Sequence, residues 1–276
     1  MTIKQPAPAN ASNEAVAADS LQSPVRIGRV GGERSHGKIA PMELKLPSDC
    51  LAVFADDTGH EALVPDQQVY GLGGCAVLAQ DLDAIVRKPW REVRRQATGS
   101  PDTPLHASDF GRSATREQIL TAAAFFRQGR FARFGTIVSV DTAFADNLGP
   151  LPTIALVLKQ RIIDIARWTR FRSVAVIFES SERADPLIEE AFQNFSIEEN
   201  GNPVPVECYF MHKREGEPGL EVADFIMHAI GRQARHNLSK RGTFVPDFAA
   251  VFHGIDTKLV SFMEVSAVVQ NTSQAG

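Results

Sequence analysis

The 276-residue chain lacks any uninterrupted apolar stretch of the roughly 18 residues that a membrane-spanning helix needs. Its N-terminus also lacks the basic region followed by an apolar run that is typical of a secretory signal. These two absences exclude a membrane-spanning segment and a secretory leader from the sequence-based interpretation. We therefore expect a cytoplasmic protein without a membrane partner.

Cysteine and histidine are scarce, with three and seven residues respectively. Cys50, Cys75 and Cys208 are far apart and lie in apolar, strand-like surroundings, which predicts buried free thiols and excludes a zinc motif. A metal site in this chain would therefore depend on carboxylate oxygens. Such hard ligands favour Mg²⁺ or Mn²⁺ over zinc.

The chain has no excess of positive charge, and its net charge of −4 is not typical of a nucleic-acid-binding protein. Basic residues nevertheless gather in three segments. These are Arg87, Lys88, Arg91, Arg94 and Arg95, then Arg161, Arg167, Arg170 and Arg172, and finally Arg232, Arg235, Lys240 and Arg241. They could be solvated helix faces, or a basic rim around an acidic pocket that binds a polyanion.

The distribution of polar and apolar residues predicts one folded domain over residues 46–268, without internal repeats or a second core. Residues 1–45 are rich in small and polar residues at first and in glycine later, which predicts a disordered or irregular N-terminal arm. Residues 269–276 are polar, and we expect a disordered tail there.

Strand-like and helix-like patterns alternate through the predicted domain, which predicts an α/β fold. The predicted strands are about 51–56, 69–78, 131–140, 173–178 and 204–211. The first two are expected to be antiparallel neighbours. Later crossovers through helices should place the following strands parallel to the first. The result would be a mixed five-stranded sheet flanked by helices.

Three acidic positions stand out against apolar surroundings. The apolar run that begins at Leu51 ends in Asp56 and Asp57, Glu179 follows the apolar strand 173–178, and Asp224 lies within an apolar helix. Each ionised carboxylate in such a place needs water, a positive partner or a metal. Ordinary alternatives remain open, because Asp57 could cap a turn, Glu179 could be the first solvated residue, and Asp224 could face water.

The ends of the first and fourth strands should meet at one edge of the sheet, where open α/β sheets bind ligands. Asp56 and Glu179 would then lie together, and Asp224 could join them from the last helix. Such carboxylates can hold two divalent ions that promote phosphodiester hydrolysis. His106, near Asp109, could either begin a helix or support the ligands. His60 could carry a proton.

Several of these residues together resemble the DUF3800 family. Asp56-Asp57-Thr58-Gly59 is similar to the Asp-Glu-Ser-Gly signature of that family, and Phe178-Glu179 is similar to the acid after its fourth strand. Leu105-His106-Ala107 resembles its histidine segment, and Leu220–Asp224 resembles its closing helix. The resemblance spans about residues 50–236.

The resemblance implies a ribonuclease H-like fold and an acidic site similar to that of metal-dependent nucleases. By position, Asp56, Glu179 and Asp224 would be the metal ligands, with Asp57 and His106 as further catalytic candidates. Asp57 stands where the family has Glu, and Thr58 where it has Ser.

The expected function is that of a Mg²⁺- or Mn²⁺-dependent nuclease or phosphodiesterase that hydrolyses nucleic acid. One alternative is a catalytically inactive ribonuclease H-like module for binding or interaction. Another is a phosphatase-like enzyme that acts on small phosphorylated molecules.

Overall fold

The structure, a computed structural model, describes most of the chain from Leu44 onward and one short segment before it. The described residues are 26–30, 44–144, 148–193, 195–199, 202–239, 248–254 and 258–266. The tail predicted at 269–276 and most of the predicted arm lie outside these residues. The part of the arm before Leu44 that is described, Arg26–Val30, forms a β-strand rather than irregular chain.

A mixed sheet forms the centre of the described fold. Its strands are β1 (Arg26–Val30), β2 (Cys50–Gly59), β3 (Val69–Leu78), β4 (Ala132–Ser139), β5 (Ser173–Glu179), β8 (Val206–Met211) and β9 (Val260–Glu264), and β6 (Ile197–Glu199) pairs separately with β7 (Asn202–Val204). The strand order of the sheet is β1-β8-β5-β2-β3-β4-β9.

The five strands predicted from the sequence are the central ones, in the order β4-β3-β2-β5-β8. The predicted number is wrong, because β9 makes six strands from residue 50 onward and β1 adds a seventh at the opposite edge. Both extra strands have only five residues. A strand as short as β1 carries too little alternation to be recognised by pattern.

Strand directions follow the expected scheme. β3 is antiparallel to both β2 and β4, whereas β2, β5 and β8 are parallel to one another. The carboxyl ends of these three parallel strands therefore lie along the same border of the sheet, perpendicular to the strands. This border is here called the carboxyl edge. The opposite edge, where β2 and β5 begin, is called the amino edge.

Helices cover both faces of the sheet. They are α1 (Ala79–Leu82), continued by a π-helical turn at Asp83–Arg87, α2 (Lys88–Thr98), α3 (Ala107–Ser113), α4 (Arg116–Gln128), α5 (Pro150–Ala166), α6 (Asp185–Phe192) and α7 (Pro218–Ser239). The side chain of Thr115 and that of Gln118 form a capping box that begins α4. Ser113 is the last residue of α3.

Alternate residues of β2 contribute to two separate cores. Ala52 and Phe54 face α7 and the helices α2 to α4, whereas Val53 and Ala55 face α5 and α6. Because both faces are buried, the strand is continuously apolar. An acid that follows this apolar run therefore faces α7 if its residue number is even, and α5 and α6 if it is odd.

Helix α7 approaches β2 and β3 very closely. A Cβ atom at Gly219 would lie 2.6 Å from the Phe54 ring, and one at Gly74 would lie 2.8 Å from the Cβ of Ala223. Larger residues at these positions would push the helix away from the sheet. The close contact brings Asp224, five residues after Gly219, over the sheet.

Two expectations from the composition can be compared directly with the structure. Cys50, Cys75 and Cys208 are buried free thiols, as predicted. Within the described ranges, no helix is both long and apolar enough to cross a membrane.

Candidate functional site

Asp56 and Glu179 are neighbours on adjacent parallel strands. The pairing of β2 with β5 runs to Ala55 and Phe178, and the next residues are Asp56 and Glu179. Phe54 and Ile177, each two residues earlier, belong to the core on the α7 face. Because side chains alternate along a strand, both carboxylates lie on that face at the carboxyl edge.

Asp224 comes to the same place from α7. Its Oδ2 accepts a hydrogen bond of 2.9 Å from the amide of Ala107 and lies 3.4 Å from Nδ1 of His106. The pKa of Asp56 is raised well above its usual range by burial, and then by the negative charges of Glu179 and Asp224. The three carboxylates therefore lie within electrostatic reach of one another.

Asp57 lies on the opposite face of the sheet. Its Oδ2 is 3.7 Å from the guanidinium of Arg183, and its amide donates a hydrogen bond of 2.8 Å to Oδ1 of Asp56. Burial raises the pKa of Asp57, and the charge of Arg183 opposes that rise. Asp57 thus faces away from the other three acids, although the charge of Glu179 also raises its pKa.

The turn that Asp57 could have capped does not form at Thr58-Gly59. β2 continues through Gly59, because these residues pair with Gly71 and Tyr70 of the antiparallel strand β3. Asp57 therefore lies within a paired strand and does not cap a turn. The composition of an apolar run does not show whether the strand continues beyond it.

Lys213 is a site residue that the sequence analysis did not single out. Its Nζ lies 3.3 Å from Oε1 of Glu179. Burial alone would lower the pKa of Lys213, but the charges of Glu179, Asp224 and Asp56 outweigh it and raise that pKa. The signal in the sequence was its position two residues after Met211, the end of a strand parallel to β5.

His106 begins helix α3, which was one of its two expected roles. Its Nδ1 accepts a hydrogen bond of 3.3 Å from the amide of Ser108. The partner proposed for it, Asp109, instead forms an ion pair of 2.8 Å with Arg112. The His106 side chain remains 42% exposed beside Asp224, so it contacts both the site and the solvent.

His60 does not join the three carboxylates. Its Nδ1 accepts a hydrogen bond of 3.1 Å from the amide of Ala62 and lies 3.7 Å from a carboxylate oxygen of Glu61. The carboxylate of Glu61 in turn contacts the guanidinium of Arg183. His60 therefore belongs to a polar group around Arg183 and Asp57.

A buried network on α7 positions the segment that carries His106. Glu221 accepts hydrogen bonds of 3.0 Å from Nε of Arg94, 2.9 Å from the indole of Trp90 and 3.0 Å from the amide of Leu105. One turn later, Asp224 binds the amide of Ala107. The same face of α7 therefore holds the backbone of Leu105 and Ala107, the residues before and after His106.

This network also changes the interpretation of the first basic segment. Arg94 is buried with Glu221, and Arg87 is buried with Glu217 at 2.8 Å. These two arginines are neither solvated nor available to a polyanion. They neutralise buried carboxylates within the fold.

The donor chemistry of the three carboxylates fits a hard divalent cation, because all of their ligating atoms are oxygens. Among the residues that the structure describes, however, no group of three or more His, Cys, Asp or Glu side chains is arranged to hold a metal ion. Lys213 and the amide of Ala107 instead contact Glu179 and Asp224. Burial and then the charges of Glu179 and Asp224 raise the pKa of Asp56, and a bound cation would relieve the repulsion among these charges.

Comparison with protein-family models and with curated proteins found no match. The site therefore has to be interpreted from its own geometry.

Glu221→Gln should destabilise the protein by about 3–5 kcal/mol, because it leaves the buried guanidinium of Arg94 without a countercharge. Urea unfolding followed by circular dichroism measures this loss. Glu92→Gln is the matched control, since Glu92 pairs with Arg95 on the exposed surface of α2, the helix that carries Arg94. A loss no larger than that of the control would contradict the structural role of Glu221.

Asp56→Asn should stabilise the protein at pH 7, because it removes one of three mutually repelling charges while its amide oxygen still accepts from Asp57. We expect a gain of about 1 kcal/mol, or about 2–4 °C in Tm for a domain of this size. A carboxyl with a raised pKa favours folding below the usual Asp pKa of about 3.9, and that contribution is lost as the pH rises through the raised pKa.

The stabilisation by Asp56→Asn should therefore disappear near pH 4, where the carboxyl of Asp56 in the folded protein is neutral, like the amide that replaces it. Thermal unfolding between pH 4 and pH 8 measures the difference. Asp49→Asn serves as the control, because Asp49 lies at the amino edge and pairs with Arg172. A Tm for Asp56→Asn at or below that of the unmodified protein at pH 7 would exclude repulsion at this site.

Proposed function

We propose that the protein is a Mg²⁺- or Mn²⁺-dependent phosphodiesterase that hydrolyses nucleic acid. The observation that carries this proposal is the placement of Asp56 and Glu179 on the α7 face at the carboxyl edge, beside Asp224 of α7. Burial and the charges of Glu179 and Asp224 raise the pKa of Asp56 there. A fold does not crowd partly buried carboxylates together for stability, whereas perturbed carboxylates in a cluster are typical of functional sites.

The strand order supports a ribonuclease H-like core, as the resemblance to the DUF3800 family implies. In β4-β3-β2-β5-β8, the antiparallel strand β3 lies beside β2, and β5 and β8 continue in parallel on the other side. This is a mixed five-stranded core, to which β1 and β9 are additions at the edges.

In this proposal Asp56, Glu179 and Asp224 would hold the metal. A bound Mg²⁺ or Mn²⁺ would supply Lewis-acid stabilisation of the phosphate charge and lower the pKa of a bound water. The protein residues would orient these ligands: the amide of Asp57 holds one oxygen of Asp56, and the amide of Ala107 holds one oxygen of Asp224.

Two further side chains have positions that suit phosphodiester chemistry. His106 lies next to Asp224 and is exposed, so it can exchange a proton with solvent. The ammonium of Lys213 lies beside Glu179 and can compensate negative charge on a phosphate.

Asp56→Asn should reduce metal-dependent hydrolysis by about 100-fold or more, the scale of losing one electrostatic contributor to a transition state. The measurement is cleavage of labelled RNA, DNA and hybrid substrates with each metal. Asp57→Asn should retain far more activity than Asp56→Asn, because Asp57 lies on the other face of the sheet.

The control for that assay is Glu92→Gln, a change on the exposed surface of α2 whose side chain pairs with Arg95. It should cleave as the unmodified protein does. Failure of the unmodified protein to cleave any of these substrates with either metal would contradict the proposal. Equal losses for Asp56→Asn and Asp57→Asn would contradict the assignment of ligands.

The alternative function, a catalytically inactive binding module, is favoured by one observation. Glu179 and Asp224 each have a protein partner without a metal, namely the ammonium of Lys213 and the amide of Ala107. The two functions differ in their response to metal. A binding module should not bind Mn²⁺ through these carboxylates.

Lys213→Met should tighten Mn²⁺ binding several-fold if the carboxylates hold the metal, because the ammonium competes with the ion for Glu179. Isothermal titration calorimetry measures the affinity, and Lys45→Met, at the chain segment before β2, provides the control. Absence of Mn²⁺ binding to both the unmodified protein and Lys213→Met would favour the inactive module.

A further inference from the structure

A second charged surface lies at the amino edge of the sheet, far from the three carboxylates. Helix α5 ends at Ala166, and the chain passes through Trp168 before β5 begins at Ser173. The amide of Arg172 bonds to the carbonyl of Asp49, directly before β2. Since β5 continues from there to Glu179 at about 3.3 Å per residue, roughly 20 Å separate the two ends.

Trp168 is the exposed centre of this surface. Its side chain is 45% exposed, although indoles are usually buried for the most part. The guanidinium carbon of Arg161 lies 5.8 Å from the ring centroid, and Nζ of Lys258 lies 5.1 Å from it. Arg161 also donates a hydrogen bond of 2.9 Å to the carbonyl of Lys258. The indole is thus held beside two cations at the surface.

Two clefts meet at Trp168. One has a volume of about 470 Å³ and is lined by Arg167, Arg170 and Phe171, among others. The other, of about 230 Å³, includes Arg130 and Lys258. Trp168 lines both clefts. A planar group the size of a nucleobase can enter the larger cleft and contact that ring.

Glu198 and Asp81 also line the two clefts, but the cations around Trp168 outnumber the acids and favour an anionic ligand. Arg167 and Arg172 are paired with Asp164 at 3.5 Å and Asp49 at 3.4 Å. Within the described part of the chain, four further cations of this surface have no carboxylate within ion-pair distance. They are Arg130, Arg161, Arg170 and Lys258.

We infer that this region, the Trp168 surface, binds a nucleobase together with its phosphate. Trp168, Arg161, Arg170 and Lys258 define it. The base would stack on the indole, and the phosphate would lie among the cations, which is how proteins bind single-stranded nucleic acid without reading its sequence. The inference depends on this surface alone and not on the carboxylates, and it gives the second basic segment a place away from the acidic site.

Intrinsic fluorescence tests the inference directly, because the chain has two tryptophans and Trp90 is fully buried. The full-length protein is titrated in EDTA with a 20-nucleotide single strand, with a mononucleotide and with a duplex. We expect saturable quenching of Trp168 by the single strand, weakening as salt is raised. Quenching by the mononucleotide with equal affinity would also support the site, and would identify a nucleotide rather than a strand as its ligand.

Variants separate stacking from general attraction of charge. By anisotropy of a labelled single strand, Trp168→Ala should weaken binding about 10-fold or more, and Trp168→Phe should restore much of it. Arg170→Gln should weaken binding and flatten the salt dependence. Arg112→Gln, an exposed arginine on α3, is the control for loss of one positive charge.

Absence of quenching by every ligand, or equal binding by Trp168→Ala and the unmodified protein, would overturn the inference. Stronger binding of duplex than of single strand would also overturn it, because paired bases cannot stack on the ring. EDTA removes metal from the experiment, so failure of hydrolysis does not affect it. Conversely, hydrolysis without Trp168 quenching would contradict only the Trp168 surface.

Discussion

The buried ion pair between Glu221 and Arg94 is the interaction on which the candidate site depends. A carboxylate in the core is costly unless it is paired and fully hydrogen-bonded, and Glu221 obtains its partners from Arg94, Trp90 and the amide of Leu105. These contacts join α7 to α2 and to the segment before α3. The next turn of α7 then carries Asp224 to the amide of Ala107. One helix face thus builds both the support and the site.

The acids of this fold differ in how completely their charge is compensated. Glu221 and Glu217 each contact an arginine that is itself buried. Asp56, in contrast, has the amide of Asp57 as a hydrogen-bond partner, and the charges of three other carboxylates act on it. Compensated acids stabilise the fold, whereas an acid held against its neighbours costs stability. This difference distinguishes a structural carboxylate from a functional candidate more reliably than burial does.

The central strands and the position of the acids could be predicted because both depend on local pattern. Apolar runs of strand length predicted β2 and β5, and an acid at the end of such a run has to leave the core. The face of the sheet on which Asp56 and Asp57 each lie could not be predicted in the same way. Leu51 to Ala55 are apolar on both faces, so no alternation indicates which of the two acids faces α7.

Long-range partners were beyond the sequence for a different reason. The contact of Arg94 with Glu221 joins residues 127 positions apart, and that of Lys213 with Glu179 joins residues 34 apart. No local period records either pairing. The segments of basic residues therefore looked alike in sequence, although their members divide into buried countercharges such as Arg94 and surface cations such as Arg170.

The two edges of the sheet carry charges of opposite sign. Parallel strands place Asp56 and Glu179 at the carboxyl edge, whereas the loop from α5 to β5 places Arg167, Arg170 and Arg172 at the amino edge. The net charge of −4 is a sum over both edges, and it hides each of them. For a polyanion, the local field determines the approach and the orientation of binding. A protein with an overall negative charge can therefore attract a nucleic-acid strand at one edge and hold cations at the other.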